Sequence, residues 1–186
     1  MLIILIGYPG SQHIVPASRY LAKKYLPGFD IIYFNYTGEI NGWSKYLADY
    51  FLKLTDKYVI MALDDSLLIG PINIDIYNSA LNKMSEEVVC IKLCSNTPEE
   101  LEEYPVTTQY CIWDREFLIK LLSETSSPWD FEMRGSMIFK TWDKKTLVET
   151  CLDYPVNSAL SNRWQGVKTE SNNPDDIKYL REHNLL

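Results

Sequence analysis

Two consecutive carboxylates, Asp64 and Asp65, close the apolar run Tyr58-Val-Ile-Met-Ala-Leu63. Such a run reads as a buried strand, so the pair is expected at a strand's carboxyl end, where open α/β sheets take their ligands. Adjacent like charges repel unless water screens them or a cation is shared. A hard divalent ion, Mg2+ or Mn2+, would relieve the repulsion if held by a carboxylate with diphosphate oxygens and water. A solvated Asp-Asp turn is the alternative. A second acidic pair lies further on. Ser127-Pro128-Trp129-Asp130 has the form of a helix start, with Ser as cap and an acid three residues later. If that helix continues, Glu132 shares a face with Trp129, Met133 and Ser136. A carboxyl on so apolar a face is expected to be partly desolvated, which suits a general base.

The elements that must position these residues alternate strand and helix, the pattern of an α/β fold. Leu2–Ile6 is an unbroken apolar run expected at the centre of a sheet, and Gly7-Tyr-Pro-Gly10 stops it. Val15, Ser18, Leu21, Ala22 and Tyr25 stripe a helix that ends at Pro27-Gly28. Ile31–Phe34 is a second strand. Trp43, Tyr46, Leu47, Tyr50, Phe51 and Leu54 form one helical stripe before the acid-bearing strand. Tyr77, Ala80, Leu81 and Met84 mark a third helix, and Val88–Leu93 a fourth strand. Thr97–Glu103 reads as loop or short helix, Gln109–Trp113 as a strand, and Asp114 as the cap of a helix carrying Phe117, Leu118, Leu121 and Leu122. Leu147–Leu152 is a last strand, and Asn173-Pro174 opens a last helix. No repeat or linker divides the chain, so residues 1–186 are expected to form one domain.

Three blocks resemble a family of GT-A-type glycosyltransferases found in bacteria and in large viruses. They are Gly42–Asp65, with its helix opening on Trp-Ser; Gln109-Tyr-Cys-Ile-Trp-Asp-Arg-Glu-Phe-Leu118; and Ser127-Pro-Trp-Asp-Phe-Glu-Met-Arg-Gly-Ser136. They stand in the family's order, and the likeness spans roughly residues 1 to 170. It implies a mainly parallel, Rossmann-like mixed sheet flanked by helices. It also implies transfer of a sugar from a nucleotide-sugar, most often a UDP-sugar, to an acceptor hydroxyl on a glycan or glycoprotein. Asp64 and Asp65 would hold the metal, Mn2+ or Mg2+, or one of them would bond the donor's ribose. Gly7, Tyr8 and Pro9 would lie against the nucleotide, with Tyr8 stacked on its base. Trp43 and Lys45 would stand on the donor side, Lys45 either reaching a phosphate or solvated. For an inverting reaction Glu132 or Asp130 would be the base, although Asp130 is also explained as a cap; a retaining reaction would need neither. Trp129 and Trp113 would offer an acceptor platform, with Gln109 and Arg115 at its edge, unless Trp113 packs in the core and Arg115 pairs with Asp114 or Glu116. Trp164-Gln165-Gly166 resembles the family's closing loop. The metal motif departs from the family's DxD pattern, because Ser66 stands where a further acid is usual.

Composition limits the alternatives. The 186 residues carry 18 Lys and Arg against 25 Asp and Glu, a net charge of -7, which argues against a nucleic-acid or anionic-membrane binder. No apolar segment approaches the roughly 20 residues of a membrane span. Cys90, Cys94, Cys111 and Cys151 lie in apolar runs without a CxxC pair, which reads as reduced core thiols in a cytoplasmic protein. His13 and His183 carry no argument for chemistry. A dinucleotide-binding enzyme is disfavoured, since neither GxGxxG nor GxxxxGK[ST] occurs. A non-catalytic domain that binds sugar or nucleotide on the same fold remains the rival reading. The chain's size leaves little material for an acceptor-binding half, so a partner transferase domain or a large glycan acceptor is part of the expectation.

Overall fold

Leu2–Gly7 (β1) alternates Ile3 and Leu5 towards one side with Ile4 and Ile6 towards the other, and all four are at most 1% exposed. A strand apolar on both faces must lie inside a sheet covered twice. The computed structural model, which describes residues 1–8, 11–94, 98–152 and 173–185, puts it there. β1 pairs in parallel with Asp30–Asn35 (β2) and with Tyr58–Leu63 (β3). Val88–Lys92 (β4), Cys111–Asp114 (β5) and Lys145–Val148 (β6) complete a six-stranded sheet of order β2-β1-β3-β5-β4-β6. Among the described strands only β5 runs antiparallel, between β3 and β4.

One face is covered by Val15–Tyr25 (α1), Ile74–Lys83 (α3) and Pro174–Glu182 (α7), packed on Leu5, Ile60, Ile91 and Ile112. The other is covered by Trp43–Phe51 (α2), Arg115–Ser123 (α5) and Pro128–Phe139 (α6), around Trp43, Trp113 and Phe131. The short Pro98–Glu103 (α4) joins β4 to β5. Caps stand where the sequence places them. Asp114 accepts from the Glu116 and Phe117 amides, Ser127 from Asp130 and Asn173 from Asp175. The last strand begins two residues earlier than the apolar run suggests and ends at Val148. No helix of the described residues is long and apolar enough to cross a membrane.

This topology creates one special place. The chain leaves β1 through α1 to β2 on one side, then crosses through α2 on the opposite face to β3 on the other side. The carboxyl ends of β1 and β3 therefore flank a switch point, where the diverging connections open a crevice.

Candidate functional site

Asp64 and Asp65 follow β3 at that crevice and are 2% and 8% exposed. The Asp64 amide donates to the Ile6 carbonyl (3.0 Å), which holds the turn against the end of β1. Gly7 is required there. A Cβ on it would lie 2.9 Å from Asp64 Oδ2 and 3.2 Å from Asn35 Oδ1. Ser11 Oγ donates to Asp64 Oδ2 (3.1 Å), while the Tyr8 hydroxyl donates to Asp65 Oδ2 (3.0 Å). Asp64 Oδ1 is buried without a hydrogen-bond partner. Burial raises the Asp64 carboxyl to about 8, helped by the neighbouring Asp65 charge and opposed by the Ser11 hydrogen bond.

β5 brings the second carboxylate to the same edge. Because it runs antiparallel to β3, the residues preceding it, Thr107–Tyr110, lie beside the end of β3, and the Leu63 amide donates to the Thr108 carbonyl (2.9 Å). Glu132 Oε1 accepts three bonds, from the Thr107 hydroxyl (3.0 Å), the Thr108 amide (2.7 Å) and the Thr108 hydroxyl (2.8 Å). Glu132 and Asp64 are thus joined through Thr108 and Leu63. Gln109, next to Thr108 in the same segment, has its Oε1 buried without a partner. Two unsatisfied oxygens at one edge leave places for a ligand's donors or a cation.

Several expected site residues lie elsewhere or play other parts. Tyr8 is 4% exposed, so its ring is not open for stacking on a base; its hydroxyl positions Asp65 instead. Trp43 and Trp113 are fully buried and pack edge-on against Phe131, at 6.1 and 6.0 Å between ring centres, which removes both from ligand contact. Lys45 forms a surface ion pair with Asp49, one helical turn on. Arg115 lies at the opposite edge, since antiparallel β5 carries it away from Gln109; it donates to the carbonyls of Asp56 and Phe51 rather than pairing with an acid. Asp130 Oδ2 accepts from the Ser126 amide and hydroxyl, the work of a helix start. The face expected to shelter Glu132 is open, with Trp129 43% and Met133 62% exposed, and hydrogen bonds hold the carboxylate instead. Pro9 and Trp164-Gln165-Gly166 lie outside the described residues. The four cysteines are buried and free.

Ser11, Asn35 and Thr108 join the site without a motif in the sequence to mark them. Asn35 does carry a signal, a polar residue ending a strand whose register partner is Gly7.

No protein family matches the sequence, and neither does any curated protein. The likeness lies in the fold. The chain is similar to the crystal structure of A197 from STIV, at 12% identity and TM-score 0.51, covering 82% of this chain and 83% of that one. It is equally similar to a glycosyltransferase involved in the glycosylation of the major capsid of PBCV-1, at 12% identity and TM-score 0.51, covering 96% and 98%. The α/β, Rossmann-like sheet flanked by helices is therefore a fold shared with a solved glycosyltransferase.

Proposed function

We propose that this chain transfers a sugar from a nucleotide-sugar, a UDP-sugar by preference, to a hydroxyl of a glycan or glycoprotein acceptor. The observation that carries the reading is Asp64: a carboxylate buried at the switch point, packed against a side-chain-free Gly7, with one oxygen unpartnered. Burying such a group costs stability unless a ligand completes it.

Among the described residues no three His, Cys, Asp or Glu side chains cluster into a ready-made cage. The donor set nevertheless suits Mn2+ or Mg2+, which bind through one or two carboxylates and keep their other positions for phosphate oxygens and water. Asp64 and Asp65 would hold the ion, whose charge would offset that of the departing diphosphate. The protein's own part in the chemistry falls to Glu132. Three donors fix its Oε1, and Oε2, which carries none of them, would take the proton from the acceptor hydroxyl. The acceptor oxygen then bonds to the anomeric carbon as the bond to the diphosphate breaks, with inversion. Trp129, exposed at the start of α6, would stack on the acceptor.

A non-catalytic nucleotide or sugar binder on this fold is favoured by Ser66 in place of a further acid. Thermal denaturation with UDP, GDP, CMP and their sugars, with and without Mn2+, tests binding. Ligand at about 100 times its dissociation constant should add about 2.7 kcal/mol, a rise of several degrees. Release of free nucleotide from the stabilising sugar donor separates transferase from binder. Absence of any shift would sink both readings.

A further inference from the structure

The two edges of the sheet are unlike. β6 closes one of them and is guarded. It has four residues, opens on Lys145, which pairs with Glu87 (2.9 Å), and meets β4 through a register shift at Val88 and Cys90. Short length, a lysine and an irregular ladder are devices by which a sheet edge avoids pairing with another chain. β2 closes the other edge with none of them. Its six residues, Asp-Ile-Ile-Tyr-Phe-Asn, include no Lys, Arg, Pro or Gly, and its ladder with β1 runs in unbroken register from Asp30 to Asn35. No second strand of the described residues pairs with it. In a parallel ladder every second residue of an edge strand turns its N–H and C=O away from the sheet. The outer side of β2 is therefore a row of backbone donors and acceptors without a strand to meet them.

The side chains of this edge are apolar as well. Ile31, Ile32, Tyr33 and Phe34 are half-buried, whereas Ile3–Ile6 of β1 beside them are buried. Tyr46 of α2, 56% exposed, leans on Phe34 at 5.5 Å between ring centres, and Arg19 of α1 lies over the Tyr33 ring at 4.7 Å. Phe34 and Tyr33 belong to opposite faces of the sheet, so aromatic surface borders the edge on both sides.

We propose that β2 pairs antiparallel with β2 of a second copy of this chain, joining the two sheets into one across a twofold axis. The strand suits its own copy. An axis normal to the sheet sets Ile32 opposite the partner's Ile32 and Ile31 opposite the partner's Tyr33. One step along, it sets Tyr33 opposite the partner's Tyr33 and Ile32 opposite the partner's Phe34. Both registers bring β-branched and aromatic side chains together, pairs that stabilise antiparallel strands. Asp30, the one charged residue, lies at the strand's end, and the antiparallel direction carries it away from its counterpart. Pairing of this kind uses up the unguarded edge of both copies and leaves only the guarded β6 edges, so assembly stops at two. It does not depend on the transferase reading above.

Sedimentation velocity of the whole chain over a wide range of concentration, with hydrogen exchange measured on the same samples, tests the pairing. A dimer is expected, and the Ile31–Phe34 amides should exchange more slowly the more dimer is present, while those of β6 do not change. Ile32→Lys puts two lysines close to the twofold axis and should weaken dimerisation at least about tenfold. Ile32→Thr, β-branched and uncharged, should still dimerise. If the lysine variant does not fold, the exchange pattern of the parent decides. A monomer at every concentration overturns the proposal, as does a dimer whose β2 amides exchange as in the monomer or one that Ile32→Lys leaves intact. A monomer whose outward β2 amides are already protected would show the edge covered by the chain itself, and assembly beyond two would show that the pairing does not close; either result also overturns it.

Discussion

Burial perturbs the carboxyl of Asp64 strongly, and its folded value near 8 lies far above the 3.8 of an unhindered aspartate. A group whose folded pKa is raised this way holds its proton in the native chain while the unfolded chain has already lost it. Stability is therefore given up as pH rises from about 4 towards 8. Asp64→Asn keeps the shape and an oxygen for Ser11 but cannot ionise. It is expected to match the parent near pH 4 and to melt a few degrees higher at pH 9, read by thermal denaturation without ligand. Equal melting at both ends would mean that water reaches the carboxylate. Gly7 has the complementary role, since it creates the space that Asp64 occupies. Gly7→Ala forces a methyl within 2.9 Å of Asp64 Oδ2, with a cost of about 1–3 kcal/mol, and should abolish stabilisation by UDP with Mn2+. Asp64 itself is legible from the sequence, as an acid ending an apolar run. Its surroundings are not: Ser11 reaches Asp64 across 53 residues and Tyr8 reaches the neighbouring Asp65 across 57, and no periodic pattern records such contacts.

At the scale of elements, α6 shows what local signals can and cannot specify. Its start is written in Ser127, Pro128 and Asp130, and the helix begins there. Its seven-residue spacing places Glu132 and Phe139 on one side, but the partner of that side is the segment before β5, 24 or more residues back, and only the fold brings it in. Helical spacing alone implies an apolar shelter for Glu132; the fold surrounds it with hydroxyls and an amide, which fix a carboxylate in one orientation. Thr108→Val keeps the size and the backbone bond while deleting one hydroxyl. If Glu132 is the base, kcat should fall by about tenfold with little change in donor KM, and Thr108→Ser should restore it. A fall in donor affinity with kcat preserved would move Glu132 out of the chemistry and into donor binding.

For the whole molecule, the decisive feature is a single reversed strand. Alternating strand and helix signals imply parallel pairing, and nothing local in Cys111–Asp114 marks it as antiparallel. That reversal carries Thr107–Gln109 to the Asp64 edge and Arg115 to the opposite one, so one topological fact explains both a gain and a loss in the expected site. The other feature of this scale is closure of the face opposite Trp43 by α7. Ile177 and Leu180 enter the core, and Tyr179 stacks on Tyr20 of α1 at 4.5 Å. Asp176, 2% exposed, accepts from both Lys24 and Tyr25 of α1. Removing it strands two donors. Asp176→Ala should cost about 2 kcal/mol, less than severing a fully buried pair because Lys24 is 41% exposed and can turn to water. In a chain of this length that is a fall of about 4–8 °C in Tm. Lys178→Ala, which breaks only the 4.0 Å pair with Glu182 between two exposed side chains, should move Tm by no more than about a degree. Nucleotide binding ought to survive in both proteins, since α7 contributes no residue to the crevice around Asp64. A loss of UDP stabilisation in Asp176→Ala at temperatures where the variant is still folded would show that α1, which follows the Gly7–Ser11 turn, transmits the docking of α7 to the site.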